Sequence, residues 1–318
     1  MAESVGMDLS VVAVAFMVAV VVGLTGMGGG ALMTPALVLI FGIPPLAAVS
    51  SDLVASAVMK PIGSWVHWRR RTINLQVVKW LVLGSVPAAF CGVLILKWMG
   101  PGEHVQDAVR MALGVALLVS ATLMVFRSYL KMAERAKRRR GVLAPEVNTG
   151  PMRIRPLPTV CLGIIGGVVV GMTSVGSGSI IIVGLMALYP ALKSNQLVGT
   201  DLFQAVPLVT AAALGHTFFG DLDLGLTIPL LIGSIPGVYL GAQLSSRLTG
   251  GFIRRALAFV LLASGLKMLN VDNISTATVL VAVLVLAPVA WMLLRKRLGL
   301  PALATTDIRQ VRKTLADR

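Results

Sequence analysis

The chain has 318 residues, 56% of them hydrophobic and 13% charged, with mean hydropathy +0.88 and a net charge of +15. Soluble domains keep roughly a quarter of their residues charged, so this composition excludes an ordinary globular enzyme and points to a polytopic α-helical membrane protein; a β-barrel would show short alternating segments instead. The positive charge lies between apolar runs and at the C-terminus, which is a pattern of membrane topology rather than of nucleic-acid binding, and no nucleic-acid partner is expected.

The N-terminal stretch MAESVGMD carries no Lys or Arg, and no small-residue cleavage site closes the first apolar run, so no cleavable signal is expected. That run covers residues 9–42. As one helix it would be roughly 50 Å long, too long for a hydrocarbon core of about 30 Å. GLTGMGGGALMTP (23–35) interrupts it with five glycines in eight positions. The interruption predicts a re-entrant hairpin; three short spans are the alternative. Further apolar segments follow at 46–66, 74–97, 108–126, 158–190, 195–218, 225–246, 255–270 and 276–294. Cys91 and Cys161 fall inside such segments and are expected to be buried small hydrophobes without a redox role.

The connections alternate in charge. RRR (69–71), the stretch 127–155, SRLTGGFIRR (246–255) and the tail from Arg295 are basic, whereas the N-terminus, PGEHVQD (101–107), GDLDL (220–224) and VDN (271–273) hold acids and no Lys or Arg. The positive-inside rule puts the first group in the cytoplasm and the second outside. The N-terminus is then outside and the C-terminus cytoplasmic.

The sequence also repeats. VVVGLTGMGGGAL (20–32) matches VVVGMTSVGSGSI (168–180), VSSDL (49–53) matches VGTDL (198–202), His67 falls on His216, and LGSVPAAFCG (83–92) matches IGSIPGVYLG (232–241). The equivalent histidines lie beside loops of opposite assignment, so the halves are inverted. Inverted repeats with interrupted helices build many secondary transporters. The expected fold is an all-α polytopic membrane protein of two inverted repeats, each with a glycine-broken helical hairpin. It has about seven full spans plus two hairpins, or nine or more short spans. The expected division is 9–126 for the first repeat, 127–157 for a basic cytoplasmic linker, 158–294 for the second repeat and 295–318 for a basic tail.

Irregular backbone at membrane depth is tolerated where it is buried in protein or lines a wet cavity. TGMGGG (25–30) and TSVGSGS (173–179) are therefore candidate hairpin tips meeting at the membrane centre. Helix N-termini and backbone N–H groups aimed at one point suit an anion. The candidate substrate-binding residues are Thr25, Gly26, Gly28, Gly29 and Gly30 in one tip. In the other they are Thr173, Ser174, Gly176, Ser177, Gly178 and Ser179. Ionisable residues within spans are functional candidates by default. Asp52 and Asp201, equivalent by repeat and preceded by Ser51 and Thr200, either brace the tips, cap their helices or carry protons. Lys60 either attracts an anion or snorkels to lipid phosphate. Gln204 shares a helix face with Thr200. His67 and His216 are expected at opposite interfaces, with a pH-responsive gate at each side as the alternative. No cofactor and no metal site is expected, since the three histidines show no ligand spacing.

On these residues the chain resembles the TauE/SafE family, the sulfite exporters grouped with the TSUP permeases. The paired glycine elements, AVSSDL and LVGTDL, and two halves around a basic loop carry the likeness. The resemblance implies transport of sulfite or a small organosulfur anion across a bacterial inner membrane. The partners it implies are that anion and the lipid bilayer, with homo-oligomer formation left open. An anion channel and an importer of another small organic anion are the alternatives; a hydrolase using Ser177 and His216 is disfavoured, because the first half carries Gly29 where the second has Ser177.

Overall fold

A computed structural model describes residues 2–25, 29–100, 102–139, 154–192, 194–244 and 250–299. Among these residues all regular structure is helical, and seven helices are long and apolar enough to cross a membrane. The first half contributes α1 (Ala2–Thr25), α2 (Gly30–Phe41), α3 (Pro45–Arg69), α4 (Leu75–Trp98) and α5 (Glu103–Arg139). The second contributes α6 (Pro156–Thr173), a π-helical turn (Ser177–Ile181), α7 (Ile182–Leu188), α8 (Ser194–Phe219), α9 (Leu224–Leu244) and α10 (Gly250–Met268), and α11 (Asn273–Arg297) follows.

The chain divides into two compact units, residues 1–124 with 151–270, and residues 125–150 with 271–318. In the first unit, α3 and α8 lie antiparallel. The backbone N–H of Asn74, beyond the end of α3, donates to Thr200 Oγ1 near the start of α8 at 3.0 Å. The repeat-equivalent pair closes the other end, where Ser51 Oγ donates to the Asp223 carbonyl at 3.4 Å. Positions matched in sequence therefore meet across the inverted halves.

Each half lends its first helix to the other. α1 runs parallel to α9, and a Cβ on Gly233 or Gly241 would overlap the carbonyl oxygen of Val12 or Val20. α6 pairs with α4 in the same way, through Gly84 against Val160 and Gly167 against Ser85. Lipid tails are as apolar as leucine, so helices in a bilayer gain little from hydrophobic burial and depend on close van der Waals packing between small residues. Gly23 and Gly171, which flank the candidate tips, belong to these seams: a Cβ on Gly23 would reach the Val238 carbonyl, and one on Gly171 the Ala89 carbonyl. A third seam joins α5 to α10, where Gly114 faces Leu269 and Gly265 faces Leu118.

The segment from α6 to α7 folds back on itself with unequal arms. α6 has 18 residues, whereas the returning π turn and α7 have five and seven. Tyr189, just past α7, comes back to the start of α6: its hydroxyl accepts from the Arg155 backbone N–H at 3.1 Å and bonds the Thr159 hydroxyl. Both ends of the segment thus lie on one side. In the first half α2 has only 12 residues, roughly 18 Å, too short to cross alone. Because the outgoing arm is longer than the return, the α6 tip reaches far along the bundle: the Gly171 carbonyl meets His216 in the last turn of α8.

The cysteines depart from expectation. Cys91 and Cys161 are both exposed. The small residues of α4 and α6 face their mutual seam, which turns these thiols to the outer surface. In the second unit Met132 and Ala136 pack with Tyr129, Trp291, Leu294 and Leu298. Asp272 caps α11 by accepting from the N–H groups of Ile274 and Ser275, and hydrogen bonds from Ser275 hold its carboxyl below the usual range. The apolar window of α11 is unburied within the protein.

Two predictions follow from the seams and the hairpin. Gly84→Leu should lower thermal stability in detergent by about 1–3 kcal/mol, the usual cost of overpacking. Gly63→Ala, where an added methyl meets nothing within 4 Å, should not lower it, and equal melting shifts would contradict the packing account. In a background lacking Cys91 and Cys161, cysteines at positions 155 and 195 should react with an impermeant reagent from one side of the membrane and a cysteine at 221 from the other. Labelling of 155 and 195 from opposite sides would mean three crossings.

Candidate functional site

The two helix breaks touch. A Cβ on Gly30 would overlap the carbonyl and hydroxyl of Ser174, so only glycine permits the approach. Ser174 ends α6 in the left-handed region (φ 58) and Gly176 has φ 120, a geometry that side chains resist. The π turn that follows is a rare element, found mostly at functional sites. Gly26 and Gly28, candidates on sequence, lie outside the described residues.

Beneath this contact is a buried polar cluster drawn from both halves. Asp52 on α3 accepts from Ser174 Oγ at 2.6 Å and Thr34 Oγ1 at 3.1 Å, both through Oδ2. Its Oδ1 is buried without a hydrogen-bond partner. Gly29 packs over that oxygen, and a Cβ there would lie 3.6 Å from it and 3.5 Å from Ser56 Oγ. Two turns along α3, Lys60 donates to Ser177 Oγ at 3.0 Å. Lys60 is only 6% exposed, so it does not snorkel. Asp201 Oδ1 accepts from Gln204 Nε2 at 3.1 Å, and Gln204 Oε1 accepts from Ser85 Oγ at 3.3 Å.

The remaining candidates are spread around the cluster. Thr25 and Thr173 donate to carbonyls of their own helices, Val21 at 2.8 Å and Val169 at 2.6 Å, and Thr173 Oγ1 also accepts from the Val175 N–H just past α6 at 3.2 Å. Ser179 pairs with Ser120 of α5 at 2.7 Å, at the edge of a small cavity that Gly176 and Gly178 also line. His216, in the last turn of α8, is fully buried. Its Nε2 donates to the Gly171 carbonyl and its Nδ1 pairs with Ser50 Oγ, both at 2.8 Å. His67, half-buried at the opposite end of the α3–α8 pair, pairs with Thr72 Oγ1 at 2.8 Å. Ser177 and His216 therefore have separate partners and make no nucleophile–base pair. Among the described residues no group of His, Cys, Asp and Glu could hold a metal ion.

Sequence reasoning passed over Thr34, Ser56, Ser85 and Ser120. Thr34 ends the glycine-rich stretch itself, and Ser85 sits in a repeat-matched element, so position was the available signal. The cluster is also where the halves differ. Lys60 is matched by Val209 and Gln204 by Ala55. Ser234, the match of Ser85, is accordingly buried with no hydrogen-bond partner.

Comparison with known proteins agrees with this architecture. The family described as sulfite exporter TauE/SafE matches residues 11–268, which span α1 to α10 and leave α11 outside. The chain is 37% identical over 265 residues to the probable membrane transporter protein YjnA of Bacillus subtilis, covering 83% of this chain and all of the relative. It is 25% identical over 261 residues to the probable membrane transporter protein YdhB of the same organism, covering 81% and 99%. It is 26% identical over 274 residues to the probable membrane transporter protein MJ0441 of Methanocaldococcus jannaschii, covering 80% and 93%. No solved structure matches the chain. With the family matched over both inverted halves, the chain is a membrane transporter, not an enzyme, and belongs to the TauE/SafE family.

Proposed function

We propose that this transporter moves a small sulfur oxyanion or organosulfur anion, sulfite foremost, through a site within the bilayer formed by the two helix breaks. The observation that carries the reading is the junction of the breaks at Gly30 and Ser174, with the Lys60 ammonium on Ser177 beside it. Sulfite is a compact oxyanion, satisfied by several N–H and O–H donors around it. Ser177 and the backbone of both breaks supply such donors, and Lys60 supplies the positive charge. Asp52 holds the second break to α2 through Ser174 and Thr34, while Asp201 and Gln204 tie α8 to α4 through Ser85. His67 and His216 stand at opposite ends of the α3–α8 pair, where opening of either side would disturb them.

The reading places the protein in a bacterial inner membrane, N-terminus outside and C-terminus cytoplasmic, from the charge of its loops. An interior-negative potential favours outward movement of an anion by about 2.3 kcal/mol per charge per 100 mV. Export is thus the favoured direction. Two inverted halves favour a carrier over a channel.

In proteoliposomes loaded with sulfite, Ser177→Ala and Lys60→Gln should each slow efflux at least about tenfold, the loss of one charge-assisted hydrogen bond. Thr25→Val and Thr173→Val should act less, because those hydroxyls bond their own helices. Unchanged efflux in Ser177→Ala and Lys60→Gln would remove the breaks from the pathway. Internal sulfite should also accelerate entry of labelled sulfite, a counterflow that a channel does not show.

A further inference from the structure

Asp52 sets a buried carboxylate at the junction of the breaks, where Ser174 donates to it. A bound anion there would meet a like charge in a site removed from water, where like charges repel far more strongly than in solvent. The groups around α3 offer little else to offset this. α2 and α9 carry no charged side chain. His216 on α8 is committed to Ser50 and Gly171, and His67 lies at the far end of α3 beside Thr72.

Asp52 and Asp201 are not equally placed to change charge. Asp201 Oδ1 already accepts from Gln204. In Asp52 both donors, Ser174 and Thr34, converge on Oδ2 and fix the carboxylate plane. Its other oxygen is fully buried and has no partner. A buried acceptor left without a donor costs about 1–3 kcal/mol, and a proton on that atom removes the cost and the charge together. Ser56 Oγ flanks the space over Oδ1 without bonding it. The Met59 methyl, 3.3 Å from the position a Gly29 Cβ would take, faces the same space. An apolar wall suits a proton better than a metal cation, which needs a shell of oxygens.

Resting on the anion-transport reading above, we propose that Asp52 takes up one proton, on its unpaired Oδ1, for each anion the protein binds. The step is a simple protonation: carboxylate and a proton from the aqueous phase give the carboxylic acid, and no other bond changes. It also reaches the break. A hydrogen bond to a carboxylate is roughly twice as strong as one to a neutral acceptor, so protonation of Asp52 loosens Ser174 and with it the tip of the second hairpin. Asp52 is a positioning residue here, since it acts on the anion through charge and through Ser174.

The test is calorimetric titration of the purified full-length protein with thiosulfate and with methanesulfonate, strong-acid anions that do not themselves titrate near neutrality. At several pH values above neutrality, each is run in buffers of different ionisation enthalpy. The slope of observed heat against buffer enthalpy should correspond to uptake of one proton per anion, and affinity should fall about tenfold per pH unit over that range. Asp52→Asn should bind the anion with zero slope and a flat pH profile. The wild-type slope decides the matter even if that variant does not fold. Binding with zero slope in the wild type overturns the inference and leaves the transport reading standing, as does binding that requires sodium in place of N-methylglucamine. A slope of one retained in Asp52→Asn places the proton elsewhere and also overturns it. If neither these anions nor sulfite binds at all, the transport reading fails and this inference falls with it.

Discussion

The contact between Gly30 and Ser174 is the constraint on which the rest of the protein depends. Two chains of broken helix cannot lie exposed in hydrocarbon, because each unpaired backbone group there costs several kcal/mol. They are stable here because each break is the other's wall. The approach is closer than any side chain would allow. The surrounding helices hold that junction, and the polar cluster beneath it gives it chemistry.

The seams explain how the junction is held. Each half donates its first helix to the other, α1 to α9 and α6 to α4, so neither half forms a closed body alone. Glycines set the helix pairs at near-backbone distance, which fixes the depth to which α1 and α6 carry the breaks. At the ends of the central α3–α8 pair the fastenings are equivalent by repeat but chemically unequal. Ser50 meets His216 at one end, whereas its match, Gly199, lies against His67 and Thr72 at the other. Such inequality is expected of a carrier whose two faces meet different solutions.

Much of this was legible in the sequence, for identifiable reasons. Glycines and prolines punctuate helices, so the breaks and the repeat from Val20 to Gly241 could be read directly, and loop charge gave the inversion. The α5–α10 seam could not be read, because Gly114 and Gly265 stand in ordinary apolar surroundings with no motif around them. Gly23 and Gly171, which flank the candidate tips, both pack in the seams. Thr25 and Thr173 shared the repeat and suggested donors, yet a threonine near a helix end readily bonds its own preceding turn, and both do. The partners of Asp52 and Lys60 were out of reach, since Ser174, Thr34 and Ser177 come from other segments and only tertiary contact selects among many hydroxyls.

The most direct measurement of the central claim is an anomalous difference map from crystals soaked in selenite, the heavier analogue of sulfite. The account predicts a selenium peak enclosed by Ser177, Lys60 and the backbone at Gly29 and Gly30. A peak found only among the basic residues of α5 and α11, or at any place remote from both breaks, would contradict it.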